Sequence, residues 1–178
     1  TKLHAGGKFE ETAYQASGGL HGVGASAVNA LSDRMIIIVK RDKKYWIQEY
    51  HIGKPKDKVK EISLDKLKST LPEGNYPFFG YNTGTLTYFL PDKIIFKGGV
   101  KWNIEYIKEF LRERAYLMAG LKIHLYDVSA SEESHFYFEG GIKSLVTHIN
   151  HSKKPLHEVI YISGKFTDAV LPIGVEVA

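Results

Sequence analysis

The stretch that most constrains this chain is Ser17-Gly18-Gly19-Leu20-His21-Gly22-Val23-Gly24-Ala25-Ser26-Ala27. Four of its glycines fall between positions 18 and 24. Glycine reaches positive φ freely and lets a ligand approach the backbone. From Val23 onward the spacing turns helical, with Val23, Ala27, Ala30 and Leu31 on one face. A glycine turn feeding a helix aims several N–H groups the same way, beside the positive end of the helix dipole, and that suits a phosphate. The same residues also suit a plain loop capping a core helix. Two sharper phosphate motifs fail on context. A Walker A loop ends in Gly-Lys-Ser/Thr, and no lysine directly follows Gly22 or Gly24. A Rossmann fingerprint on Gly22-x-Gly24-x-x-Ala27 needs a strand running into it, whereas residues 10–19 are polar and glycine-rich.

Taken in order, residues 1–19 read as a long loop and 22–32 as a helix. Met35-Ile36-Ile37-Ile38-Val39 is too short and too β-branched for a buried helix, so 34–41 is a buried strand. Arg41-Asp42-Lys43-Lys44 is a polar turn, and Tyr45 to Ile52 is the returning strand of a hairpin. Residues 53–81 carry Gly, Pro, Lys and Asn and read as an irregular excursion. Its Tyr76, Phe78, Phe79 and Tyr81 either fold back on the body or present a contact surface. Gly84 to Leu90 alternates as a strand, stopped by Pro91-Asp92. Asn103 caps a helix with Ile104, Ile107, Leu111 and Met118 on one face and Gly120 at its end. Residues 121–126 alternate as a half-exposed strand, and 135–139 pair beside it with Phe136 and Phe138 facing together. Residues 142–149 form a short helix; 159–163 and 173–178 are strands. Largely antiparallel strands, with helices enough to cover one face, make an α+β two-layer sandwich.

Composition narrows the function classes. With 178 residues, 43% of them hydrophobic, the chain is globular: one domain, or one plus a fragment. No run of about 18 apolar residues is present, so no membrane is expected as a partner. The absence of cysteine rules out disulfides and thiolate zinc sites, which suits a cytoplasmic protein. A net charge of +4 permits nucleic-acid contact without requiring it, and much of the excess sits on Lys54, Lys56, Lys58, Lys60, Lys66 and Lys68, a solvated stretch.

Leu3-His4-Ala5-Gly6-Gly7-Lys8-Phe9, then Tyr14, then Ser17 through Gly24, closely resembles the ATP-lid segment of the type IIA DNA topoisomerase B subunits, those of DNA gyrase and topoisomerase IV. Val28-Asn29-Ala30-Leu31-Ser32, Thr83-Gly84-Thr85, Arg112-Glu113-Arg114-Ala115, Phe138-Glu139-Gly140-Gly141-Ile142 and Ile173-Gly174-Val175-Glu176-Val177 continue the resemblance in order, over nearly the whole chain. It implies the Bergerat (GHKL) ATPase fold, here partial and lacking its N-terminal elements. Residues 1–172 are then the C-terminal portion of that ATPase domain, with 1–24 as the lid, and 173–178 the first strand of the following transducer domain.

The resemblance also implies ATP and Mg²⁺ as cofactors. Lys8, hinged on Gly7, reaches the terminal phosphate when the lid closes, and Tyr14 lies near the adenosine. The backbone N–H groups of Leu20, His21, Gly22, Val23 and Gly24 hold the phosphates, His21 through its backbone more than its imidazole. Thr85 helps bind adenine through a water and a carboxylate. Arg41 belongs to the pocket rim or simply to a hairpin end, and Ser26 caps the helix or lines the site. Each has an ordinary counterpart: a surface lysine, a loop aromatic, a packed histidine, a strand threonine.

The family's general-base glutamate, magnesium-binding asparagine and adenine-binding aspartate precede the lid. A chain that opens at Thr1, directly in the lid, is expected to be a truncated piece carrying no catalytic or metal-binding residue of its own. Such a piece is expected neither to bind ATP tightly nor to turn it over, and to be poorly soluble through its unpaired sheet edge. In the family, ATP clamps two B subunits into a homodimer, and hydrolysis resets them during DNA strand passage, in company with the gyrase A-type subunit. Phe138–Ile142 and Gly174–Val177 favour gyrase and negative supercoiling. The alternatives are topoisomerase IV and decatenation, or a non-catalytic nucleotide-gated interaction module. A Bergerat chaperone or mismatch-repair protein is disfavoured by Leu3–Phe9.

Overall fold

A computed structural model describes residues 22–72, 74, 76–166 and 173–177. The chain divides into two compact units, Thr1–Val100 and Lys101–Ala178.

The first unit holds α1 (Gly24–Ala30), β1 (Ser32–Arg41), β2 (Lys44–His51), β3 (Lys54–Pro55), β4 (Lys60–Ile62), α2 (Leu64–Thr70), a 3₁₀ turn (Pro77–Gly80) and β5 (Gly84–Pro91). The strands form one antiparallel sheet in the order β3-β2-β1-β5, with β4 also pairing with β2. β1 lies at its centre because it is the most continuously apolar strand. The hairpin turn between β1 and β2 has two residues, Asp42 at φ 52° and Lys43 at φ 61°. Positive φ at both central positions matches the right-handed twist of the flanking strands.

Alternation along β1 separates two faces. Ile36 and Ile38 point one way and are fully buried. Opposite them in register stand Ile47 on β2 and Leu86 and Tyr88 on β5. Leu67 and Leu71 from and after α2 complete this core, with Tyr45, Ile62, Tyr76, Phe78 and Phe79 packed against it. Phe78 and Phe79 meet edge to face at 5.6 Å, and Tyr76 meets Phe79 at 6.1 Å. These are the favoured geometries of aromatic pairs. The 53–81 segment is therefore not irregular throughout: it carries two short strands and α2, and its aromatics fold back on the sheet, Tyr81 excepted. A helix of seven residues is too short to show a periodicity in the sequence.

Arg34 Nε lies 2.7 Å and Lys56 Nζ 3.1 Å from Glu49 Oε1 on this same face. Burial pushes the Glu49 carboxyl up, but the hydrogen bonds and charges of Arg34 and Lys56 outweigh it and hold it below its ordinary value. The stabilisation is therefore present above the unfolded carboxyl pKa and lost as pH falls through the lowered folded value. Glu49→Gln is expected to lower the thermal midpoint by about 2–4 °C near neutral pH, for about 1 kcal/mol. Once the pH has fallen below the lowered folded value the two proteins should converge; a difference that persists under full protonation would show that the charge is irrelevant.

The second unit contains α3 (Ile104–Leu117), β6 (Ile123–Asp127), β7 (Glu132–Phe136), α4 (Ile142–Ile149), β8 (Ile162–Phe166) and β9 (Ile173–Val177). Asn103 Oδ1 accepts from the Tyr106 N–H at 3.1 Å, so the expected cap starts α3. β6 pairs with β7, and β8 with β9, both antiparallel. β7 runs 132–136 rather than 135–139, because Phe138 belongs to the turn that follows. Its carbonyl accepts from Gly120 and Gly141, and its ring stacks on Tyr116 with centroids 3.7 Å apart, while Phe136 is buried. Gly141 sits at φ 53°, where a Cβ would stand 3.1 Å from Ala119 Cβ and 3.3 Å from the Tyr116 carbonyl oxygen. Only glycine serves such a close, left-handed crossing. β8 begins at Ile162 rather than 159, in register with β9 from Ile162↔Val177 to Phe166↔Ile173. Helices combined with antiparallel sheets place the molecule in the α+β class. Among the described residues, no helix is long and apolar enough to cross a membrane.

Candidate functional site

Among the described residues, α1 is pinned at its C-terminal end and carries no side-chain cap at its N-terminal end. Near its C-terminus, Asn29 Nδ2 donates to the Gly53 carbonyl at 3.3 Å, Ser32 Oγ donates to the Val28 carbonyl at 2.6 Å, and the Asp92 N–H donates to the Leu31 carbonyl at 3.0 Å. These bonds tie the helix to the β2–β3 turn and to the end of β5. At the other end the N-cap is Val23, which has no side chain able to accept from the helix, and no acidic residue occupies the first turn. Gly22 precedes it at φ 62°. At Gly24 a built Cβ meets nothing within 4 Å. First-turn N–H groups without a side-chain cap among the described residues, a positive dipole end and the space beside Gly24 suit an anion. Ser26 lies in this first turn, half-buried.

The second part of the site is the face of the sheet opposite the core. It carries Met35, Ile37, Val39 and Arg41 of β1, of which Met35 is buried and the hairpin end from Val39 onward is exposed; register places Thr85, Thr87 and Phe89 of β5 beside the first three as Val39↔Thr85, Ile37↔Thr87 and Met35↔Phe89. Trp46 stands opposite Val39 from the β2 side. At the hairpin end, this face therefore offers an apolar floor of Val39 and Trp46, an exposed hydroxyl on Thr85 and the exposed guanidinium of Arg41. An apolar surface with a few placed polar groups is what a nucleoside needs. The structure thus brings Arg41 and Thr85 to the same end of one face.

α1 and Thr85 are not adjacent. The helix joins β1 at Ser32, whereas Thr85 pairs with Val39, seven residues or about 23 Å further along the strand. Gly7, Lys8, Tyr14, Leu20 and His21 lie outside the described residues. No described residue of this unit is assigned to Mg²⁺.

One constellation escaped the sequence reading: His124, Glu133 and His135 on the exposed side of β6–β7. Alternation alone put His124 outward, but His135 became its partner only through the register of the two strands.

No protein-family profile matches the chain. In sequence it is similar to the DNA gyrase B subunit of Synechocystis sp., 41% identical over 179 positions, which cover 99% of this chain and 15% of that protein. It is likewise 42% identical to the DNA topoisomerase 4 B subunit of Bacillus subtilis over 166 positions, 93% of this chain and 23% of that protein. The chain thus spans about a quarter or less of the curated relatives it matches. Its structure is similar to the ATPase domain of Thermus thermophilus gyrase B, solved in complex with an aminocoumarin, with a TM-score of 0.66 and 29% identity over 87% of this chain and 38% of that one. The expected resemblance to the B subunits of gyrase and topoisomerase IV is borne out, as is the α+β fold of their ATPase domains.

Proposed function

We propose that these residues form part of the ATP-binding and ATP-hydrolysing domain of a gyrase-like type II DNA topoisomerase B subunit. The observation that supports the reading is the identity of 41–42% to the gyrase and topoisomerase 4 B subunits, to which α1 adds an end at Gly24 with no side-chain cap among the described residues, where phosphate oxygens would meet the first-turn N–H groups. Lys8 and the backbone from Leu20 to Gly24 serve the phosphates, Tyr14 the adenosine, and Thr85 the adenine. ATP and Mg²⁺ are the cofactors, and no residue of this chain is assigned the general-base or magnesium-binding role. The domain extends to residue 172, and 173–178 open the domain that follows.

In the whole protein, ATP closes a homodimer of B subunits around DNA, and hydrolysis resets it, driving strand passage in the cytoplasm with an A-type partner. Negative supercoiling is the output of this reading. The comparable identity to the topoisomerase 4 protein supports decatenation as the second reading, and an assay of both activities on the reconstituted enzyme separates them.

Calorimetric titration of the full-length protein with Mg²⁺ and a non-hydrolysable ATP analogue tests nucleotide binding. Thr85→Val keeps the shape and the β-branch of the strand residue but removes the hydroxyl. It is expected to weaken binding about 3–10-fold, the worth of one hydrogen bond. No saturable binding by the unsubstituted protein would overturn the reading, and an unchanged affinity in the variant would remove Thr85 from the site.

A further inference from the structure

We propose that His124, Glu133 and His135 bind a single divalent transition-metal ion, of the Zn²⁺ kind, on the exposed face of the β6–β7 hairpin. The site follows from strand geometry. In β6, Ile123 and Leu125 turn inward and His124 and Tyr126 outward; in β7, Ser134 and Phe136 turn inward and Glu133 and His135 outward. The register sets His124 directly opposite His135 and Glu133 opposite Tyr126, one step along the same face. Three ligand side chains therefore stand together on two hydrogen-bonded strands, which is a more rigid mount than a loop.

The distances fit one ion. His124 Nδ1 and His135 Nδ1 are 2.8 Å apart, with the rings perpendicular and their centroids 4.4 Å apart. Glu133 Oε1 lies 3.9 Å from His124 Nδ1 and 3.5 Å from His135 Nε2. One ligand atom from each residue can be chosen so that all lie within 4.8 Å of one another. With metal–nitrogen bonds of about 2.0–2.1 Å, two nitrogens on one ion stand about 2.9–3.4 Å apart, so the rings need open by only a few tenths of an ångström. Without an ion, one imidazole N–H donates to the other ring's lone pair, and this contact already holds both rings on the same side. Two imidazoles and one carboxylate select Zn²⁺, Co²⁺, Ni²⁺ or Cu²⁺ over Mg²⁺ and Ca²⁺, which prefer oxygen. All three side chains are more than half exposed, leaving coordination positions for water or for an external ligand. The bound ion ties β6 to β7 and stabilises the folded state by mass action.

The test uses full-length protein without a histidine tag, stripped with chelator and titrated with Zn²⁺ alone in excess Mg²⁺. One equivalent is expected to bind at this site, accompanied by a rise in thermal midpoint. His124→Ala and His135→Ala should each weaken that binding at least tenfold, and the double variant should abolish it. Glu133→Gln should weaken it less, and His157→Ala should leave it unchanged. Thermal midpoints measured in chelator confirm that each variant is folded. Co²⁺ absorption of the unsubstituted protein gives a readout independent of the variants: bands of a four- or five-coordinate nitrogen and oxygen site support the proposal, and the spectrum of the aqueous ion overturns it. Zn²⁺ binding unchanged in the double variant would equally overturn it.

Discussion

Gly24→Ala in the full-length protein is expected to weaken binding of Mg²⁺ and an ATP analogue about 100-fold, while the thermal midpoint stays level or rises. The two effects separate because the fold makes no demand for glycine here. Gly24 lies outside the positive-φ set, and the added Cβ meets no protein atom within 4 Å. As the first residue of α1, alanine gains up to about 1 kcal/mol of helix propensity over glycine. A phosphate oxygen bonded to a first-turn N–H must instead come within about 2.9 Å of the backbone, into space that the new methyl would share. Displacing it costs about 2.7 kcal/mol for a 100-fold loss. Gly22 is a poorer probe: its φ of 62° means that a side chain there strains the backbone as well. Unchanged affinity in Gly24→Ala would show that no ligand uses this space, and the anion-binding reading of α1 would fall.

Ile38→Ala is expected to lower stability by about 2–5 kcal/mol, because a fully buried isoleucine loses its transfer energy and leaves a cavity. In a chain of this size that corresponds to a fall in midpoint of about 4–20 °C. Its neighbour Val39 points to the opposite face and is 36% exposed, so Val39→Ala is expected to cost less than about 1 kcal/mol. In return, Val39→Ala should weaken nucleotide binding, since Val39 stands beside Thr85 on the proposed site. Equal losses at the two positions, measured by denaturant or thermal unfolding, would contradict the assignment of faces.

The contrast between Ile38 and Val39 marks where sequence reasoning stops. Local signals sufficed for β1, from its run of β-branched residues, for the two-residue turn at Asp42-Lys43, and for the start of α3 at the Asn103 cap, although the helix stops at Leu117, short of Gly120, and leaves Met118 exposed. α4 matched its expected span, Ile142–Ile149, because its apolar spacing lies within a single helix. These elements are encoded by neighbours in the chain, through dihedral preference, capping and periodicity. The glycine run also announced the N-terminal end of α1, which has no side-chain cap among the described residues, since a helix that begins without a capping side chain shows that lack in its sequence.

Met35, Ile36, Ile37, Ile38 and Val39 are all apolar, so nothing in the run itself says which side is core. The choice was made by α2 and by Tyr76, Phe78 and Phe79, which pack against Ile36 and Ile38 and so assign the opposite side to Val39 and Thr85. Register was likewise invisible. A slip of one residue between β6 and β7 would turn His135 inward and disperse the three ligands. Elements and turns depend on interactions a few residues apart, which the sequence by itself determines. Faces and registers depend on pairings between distant segments, and only the folded chain decides them.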